Sequence, residues 1–310
     1  MGTLETLFAG WDVGGTKSSA VVGNAKGEVL ARSSWPSRTE QGPKAMLGEF
    51  LTQLAPLKKQ FGAFASAGVS IGGPLDSRRG IILSPPHLPG WDNLPLRDIL
   101  SSELQIPVIV EHDAAACLLA EHYWGNAVGK THAAYITAGT GCGAGILVDG
   151  RILRGPSGQS PEIGHIRVAE DGPLLFGKAG CVESFCSGTG IALLAPQLFP
   201  DRFSQPVPVR ELAALAGSGD VPAREVLLSA ARWMGRTCAM LTDIFSLDVI
   251  IVGSLARYLP GWWLDAVRAE FSREVLPHNG AHTQIVAPAL GDRLQDLSAI
   301  APCVSKAQSF

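Results

Sequence analysis

Apolar residues first gather from Leu7 to Val13, then from Ser18 to Val22 and from Glu28 to Ser33, in runs of strand length. Gly14-Gly15-Thr16 separates the first two runs and Asn24-Ala25-Lys26-Gly27 the second two, so the spacing predicts a three-strand meander. The pattern returns downstream. Ala133 to Ala138 reads as a strand, Gly139-Thr140-Gly141-Cys142-Gly143 as a glycine turn, and Ala144 to Val148 as a second strand. Asp149-Gly150 then makes a tight hairpin into Arg151-Ile152-Leu153. Helix–strand alternation follows each meander. After the first come a helix near Pro43 to Lys59, a strand near Phe64 to Ile71, a helix near Leu96 to Leu104 and the strand Pro107 to His112. After the second come a mostly helical stretch from Cys186 to Leu247, the strand Val249 to Val252 and a helix near Pro260 to Val275. The Pro/Gly-rich segment Gly72 to Gly90 reads as a long functional loop. A duplicated meander with interleaved helices predicts an α/β protein of two domains facing each other across a cleft. The expected division is a small α/β domain over residues 1–117, joined by a C-terminal helix at about 294–310, and a large α/β domain over 118–293.

Composition narrows the function classes. The 310 residues are 46% apolar, enough to bury substantial cores. Lys+Arg 25 against Asp+Glu 28 leaves a net charge of -3, which argues against a broad nucleic-acid surface or a polybasic membrane patch. No apolar run has transmembrane length, and Met1 to Ala9 lacks the features of a signal peptide, so a cytoplasmic location is expected. In that compartment Cys117, Cys142, Cys181, Cys186, Cys238 and Cys303 are expected as free thiols.

The glycine turns carry the first candidate chemistry. In Asp12-Val13-Gly14-Gly15-Thr16-Lys17 two glycines let backbone N–H groups approach phosphate oxygens, Thr16 adds a hydroxyl and Lys17 a positive charge. Asp12, at a strand end, offers a carboxylate for a hydrated Mg²⁺. A strand, not a helix, follows these glycines, which excludes both a Walker loop and a dinucleotide fingerprint. Gly139-Thr140-Gly141-Cys142-Gly143 repeats the device, and two such hairpins, one per domain, can grip one triphosphate. Asp113 ends the strand Pro107 to His112 and begins a helix from Ala114 to Trp124, a usual place for an active-site group and also for a helix N-cap. Transfer of a phosphoryl group to a sugar hydroxyl needs one carboxylate to accept the proton, the role Asp113 fits. Pro161-Glu162-Ile163-Gly164-His165 and Gly180-Cys181-Val182-Glu183 supply acceptors and donors of the kind sugar hydroxyls require.

Taken in order, Asp12-Val13-Gly14-Gly15-Thr16-Lys17, Gly73-Pro74-Leu75-Asp76, Leu88-Pro89-Gly90-Trp91, Asp113 with Glu121, Gly139 to Gly145, Glu162-Ile163-Gly164-His165, Gly180-Cys181-Val182-Glu183 and Ile250-Ile251-Val252-Gly253 resemble the ROK family of repressors, open reading frames and sugar kinases. The resemblance runs from about Phe8 to about Ser298. It implies a two-domain actin-like (ribonuclease H-like) fold, ATP with Mg²⁺, and transfer to a hexose or amino sugar, usually at the 6-hydroxyl. It also implies a homodimer. On that resemblance Asp113 is the catalytic base, and Gly73, His112, Glu162, His165 and Glu183 face the sugar. Asp12, Gly14, Gly15, Thr16, Lys17, Gly139, Thr140 and Gly141 then hold the nucleotide phosphates and their metal, and Gly253 meets the adenosine.

The sequence also departs from the family. His112-Asp113-Ala114-Ala115 stands where Asn-Asp-Ala-Asn is usual, so His112 replaces an Asn that contacts the sugar. His87 stands where Asn is common, and Gly253-Ser254 replaces Gly-Gly. Many members close a structural zinc site with three Cys and one His, but two of those thiolates are here Leu174 and Phe176. Structural zinc is therefore not expected. Leu174, Leu175 and Phe176 are expected to replace it with hydrophobic packing, leaving His165 for substrate. A glucokinase-like hexose kinase is the leading reading and an N-acetylhexosamine kinase the second. A catalytically weak sugar-binding protein is a third. A repressor is disfavoured because only about ten residues precede Asp12, too few for a helix-turn-helix.

Overall fold

The structure is a computed structural model and describes residues 5–307. The first meander forms as β1 (Leu7–Val13), β2 (Lys17–Asn24) and β3 (Val29–Pro36), paired antiparallel in that order. Helix α1 (Gly42–Phe61) begins with a proline in its first turn and stops at Gly62, whose φ of 83° few other residues adopt. It leads to β4 (Ser66–Ile71), which runs parallel to β1. Every residue of β4 is buried, as a strand covered on both faces must be, whereas β3 alternates between partly buried and exposed positions. The segment read as a loop carries structure of its own, a two-residue hairpin of β5 (Leu75–Asp76) and β6 (Ile81–Ile82). Then come α2 (Leu96–Leu104), β7 (Val108–His112) parallel to β4, and α3 (Asp113–Trp124). The sheet order is β3-β2-β1-β4-β7. Trp11 of β1 stacks on Phe50 of α1 at 4.6 Å, and both are fully buried with Trp91 in the core between sheet and helix.

The second sheet repeats this plan. β8 (Ala133–Ala138), β9 (Cys142–Val148) and β10 (Arg151–Ile152) form the meander. Asp149 and Gly150, with φ of 50° and 72°, make the tight turn. A small hairpin, β11 (Leu174–Leu175) and β12 (Lys178–Ala179), precedes α4 (Val182–Cys186) and α5 (Gly188–Leu198). Helices α6 (Val209–Gly217) and α7 (Val221–Phe245) lead to β13 (Val249–Val252), parallel to β8. After α8 (Ser254–Tyr258), α9 (Gly261–Glu274) and α10 (Pro277–Gly280), β14 (Gln284–Val286) adds to β13. The order β10-β9-β8-β13-β14 is that of the first sheet, strand for strand.

The last helix, α11 (Leu294–Ala307), returns to the first sheet. A Cβ on Gly10 of β1 would lie 2.9 Å from Ala299 Cβ, and one on Gly68 of β4 only 2.2 Å from the Ala299 carbonyl oxygen. Two glycines thus let the helix backbone settle directly on the sheet. Of the helix expected at about 294–310, residues 308–310 lie outside the described residues. By packing, the chain divides into one unit within Met1–Gly129, Ile152–Ser160 and Ala289–Phe310, and another of Lys130–Arg151 and Pro161–Pro288. The boundary expected between 117 and 118 falls inside α3, which stays whole with the first unit. Among the described residues no helix is long and apolar enough to cross a membrane. All six cysteines are buried and unbridged.

Candidate functional site

In the first unit the candidate residues collect at the carboxyl ends of β1, β4 and β7. Asp12 pairs in register with Ser70 and Ser70 with Glu111; one position on, Val13, Ile71 and His112 form the next row. Parallel strands bring such ends to one edge of a sheet, where α/β proteins place their ligands. The Gly14-Gly15-Thr16 turn follows β1. A Cβ on Gly14 would meet the Lys17 carbonyl at 2.6 Å, whereas over Gly15 the nearest atom, His87 Cβ, is 3.9 Å away, so a side chain there would fill open space. Ser37 pins the turn: its N–H donates to Thr16 O at 3.0 Å and its hydroxyl to Gly14 O, while Ser18 Oγ lies 2.9 Å from Ser37 Oγ. Gly15, Thr16 and Lys17 are exposed.

Asp113 opens α3. Ala114 N donates to its Oδ1 at 2.6 Å, and His112 Nδ1 lies 3.3 Å from the same oxygen. The N-cap is His112, not Asp113: its ring nitrogen accepts from Ala114 N. The imidazole lies over Gly73, where a Cβ would stand 2.8 Å from His112 Cδ2. Burial pushes the Asp12 carboxyl up to about 8, with the charges of Asp113 and Asp296 adding and Arg32 opposing. Asp296 of α11 is also raised by burial, against the pull of Arg32, whose Nε is 2.9 Å from Asp296 Oδ1. Glu111 is buried, accepts from His112 N at 3.0 Å, and pairs with Arg154.

In the second unit Gly139, Thr140, Gly141, Glu183 and Gly253 come together. Gly188 N donates to Gly139 O at 2.7 Å and Thr189 Oγ1 to Thr140 O at 2.9 Å, so the loop's carbonyls face the start of α5. A Cβ on Gly139 would have Ser254 Oγ as its nearest neighbour at 3.9 Å, which leaves open space above this glycine as above Gly15. Gly253 cannot carry a side chain, since a Cβ would stand 2.8 Å from Ile136 O and 2.9 Å from Tyr135 Oη. Glu183, buried at 8% exposure, accepts from Cys142 N at 2.8 Å. Glu162 and His165, at the two ends of the turn through Ile163 and Gly164, are exposed.

The hydrophobic packing expected of Leu174, Leu175 and Phe176 does not form. Leu174 is 65% and Phe176 58% exposed, because among the described residues β11 and β12 pair only with each other and no other strand covers them. Phe176 instead meets the His165 ring edge-on at 5.7 Å, and Lys178 Nζ donates to His165 O at 2.7 Å. Sequence reasoning also passed over Ser37, the Glu111–Arg154 pair, Thr189 and Asp296. Asp296 alone carried a signal, a single carboxylate inside the apolar run from Leu294 to Val304.

The candidate groups divide by chemistry. Asp12 offers hard oxygen ligands of the kind Mg²⁺ takes. Among the described residues there is no group of three or more His, Cys, Asp or Glu side chains fit to hold a metal ion.

A model described as ROK family matches residues 8–299. A ROK hexokinase from Thermus thermophilus superposes with a TM-score of 0.86 at 30% identity, over 98% of this chain and 100% of that one. A ROK family glucokinase from Streptomyces griseus, in complex with glucose and AMPPNP, superposes at 0.79 with 28% identity, over 94% and 97%. An N-acetylmannosamine kinase from Escherichia coli is 31% identical over 254 residues, 81% of this chain and 84% of its own.

Proposed function

The chain belongs to the ROK family and has its two-domain actin-like fold, and from that premise we propose that it is an ATP-dependent sugar kinase acting on a hexose, at the 6-hydroxyl. The observation that carries this reading is Asp113. One of its oxygens is fixed by Ala114 N at 2.6 Å while the side chain stays 45% exposed, as a base that must receive a proton requires. In the reaction the sugar oxygen bonds to the γ-phosphorus, the bond from that phosphorus to its bridging oxygen breaks, and ADP leaves. The hydroxyl proton passes to the Asp113 carboxylate.

The remaining residues bind and orient. Gly14, Gly15, Thr16 and Lys17 in one unit and Gly139, Thr140 and Gly141 in the other serve the phosphates, with Gly253 beside the adenosine. Asp12 would hold the Mg²⁺ that neutralises phosphate charge. Gly73, His112, Glu162, His165 and Glu183 serve the sugar. Gly73 does so by yielding its space to the His112 ring. The N-acetylmannosamine kinase relative favours a second reading, in which the acceptor is an N-acetylhexosamine.

One assay tests both. ADP release is measured with glucose, mannose, fructose, N-acetylglucosamine and N-acetylmannosamine, using wild type and Asp113→Asn. The expected outcome is turnover on glucose, lowered about a thousandfold by the substitution, with sugar affinity little changed. Turnover only on N-acetylmannosamine selects the second reading. No turnover on any sugar, or an active Asp113→Asn protein, defeats the proposal.

A further inference from the structure

The glycine loop of the second unit is clamped from one side. Gly188 N, Thr189 N and Thr189 Oγ1 donate to its carbonyls at residues 139 and 140. Peptide units are trans, so the N–H groups of Thr140 and Gly141 point away from these clamped carbonyls. A fourth clamp differs in kind. Cys142 N donates to Glu183 Oε2 at 2.8 Å, and a Cβ on Gly141 would lie 3.1 Å from that same oxygen. The carboxylate also touches the turn that carries Glu162 and His165. At Gly164 a Cβ would meet Cys142 O at 2.1 Å and Glu183 Oε2 at 3.4 Å. Phosphate loop, sugar-facing turn and Glu183 are therefore one packed contact.

A carboxylate is a costly choice for this place. Its negative charge repels the phosphates that the loop is there to receive. What it offers in return is a strong, charge-assisted bond to a backbone N–H and a second oxygen left for another donor. We propose that Glu183 is a positioning residue of the phosphate loop, with Oε2 holding Cys142 N while Oε1 meets the sugar, so that one side chain couples the nucleotide grip to the sugar. The inference rests on the kinase reading but extends it: the group assigned to sugar also sets affinity for nucleotide when no sugar is present.

Two conservative substitutions separate the roles. Glu183→Gln keeps an oxygen at the right reach and removes the charge. Glu183→Asp keeps the charge but draws the oxygens back by about one C–C bond, ~1.5 Å. ADP binding is measured by titration calorimetry on the full chain without sugar, after thermal melts confirm that each variant is folded. The expected result is that Glu183→Gln binds ADP at least as tightly as wild type, whereas Glu183→Asp binds about fivefold more weakly, the loss of one hydrogen bond. Glucose is then added to wild type and Glu183→Asp. It tightens ADP binding in wild type and not in the variant. If both variants match wild type without sugar and show only a raised sugar KM, Glu183 serves the sugar alone and the inference is overturned. A loss confined to Glu183→Gln overturns it too, since charge and not the reach of Oε2 would then be what matters. A wild-type protein that binds no ADP at all removes the kinase reading and this inference with it.

Discussion

Three carboxylates in the first unit sit close enough to feel one another, and they do so in different states. Asp113 has an oxygen tied to a backbone N–H, Asp296 faces Arg32, and Asp12 carries the largest burden. Burial, reinforced by the charges of Asp113 and Asp296, raises the Asp12 carboxyl from 3.8 to about 8. The unfolded chain releases this proton near pH 4, whereas the folded chain holds it until pH 8. Between those values ionising Asp12 opposes folding, so its effect is absent at pH 4 and grows as pH rises. The metal-free Asp12→Asn protein should therefore gain roughly 1–3 kcal/mol over wild type at pH 8 and nothing at pH 4, read from paired denaturant melts. The same stored cost readies Asp12 for a cation, which would replace the missing hydration. Of these three acids, Asp12 and Asp113 were legible in the sequence because each ends an apolar strand at a glycine turn or an alanine-rich helix. Asp296 was not read, since a helix pattern gives no sign that its one acid faces a strand residue such as Arg32.

At the scale of elements, strands and helices followed their patterns closely wherever the pattern was long. β1, β8, α2 and β13 occupy the residues that the hydropathy runs marked. β14 escaped notice because three residues are too few to show a period. The stretch from Leu174 to Phe176 misled for a related reason: apolar character predicts burial only if another element arrives to cover it. Nor could sequence foresee that the segment after β10 is held to β7. There Arg154 pairs with Glu111, whose side chain is 3% exposed, beside the peptide that leads to Asp113. Removing only the arginine strands a buried carboxylate, which is the expensive way to break such a pair. Arg154→Met should cost about 2–4 kcal/mol, and adding Glu111→Gln should recover at least half of it. A double-mutant cycle by urea denaturation measures both; single losses that simply add in the double variant would show the pair to be inert.

The whole molecule is one plan used twice, two sheets with the same strand order, each completed by parallel strands beyond a meander. That repeat was visible in the sequence because both copies keep a glycine turn after the first strand. The returning helix is where the first unit depends on close backbone contact. Ala299 of α11 sits against Gly68 with no room for a methyl group, its carbonyl 2.2 Å from where one would be. Gly68→Ala should destabilise the first unit by about 1–3 kcal/mol, read as a lower-temperature transition in scanning calorimetry, and leave the second unit's transition in place. A single unshifted profile would refute that close fit. The route of the chain has a further consequence, for synthesis. The second unit is finished once Pro288 has emerged from the ribosome, but the first waits for the residues from Ala289 onward, with the seat for α11 on β1 and β4 bare until then. The half of the protein translated first is thus the last to mature, and the interval before its closing helix arrives is when a nascent chain most needs a chaperone.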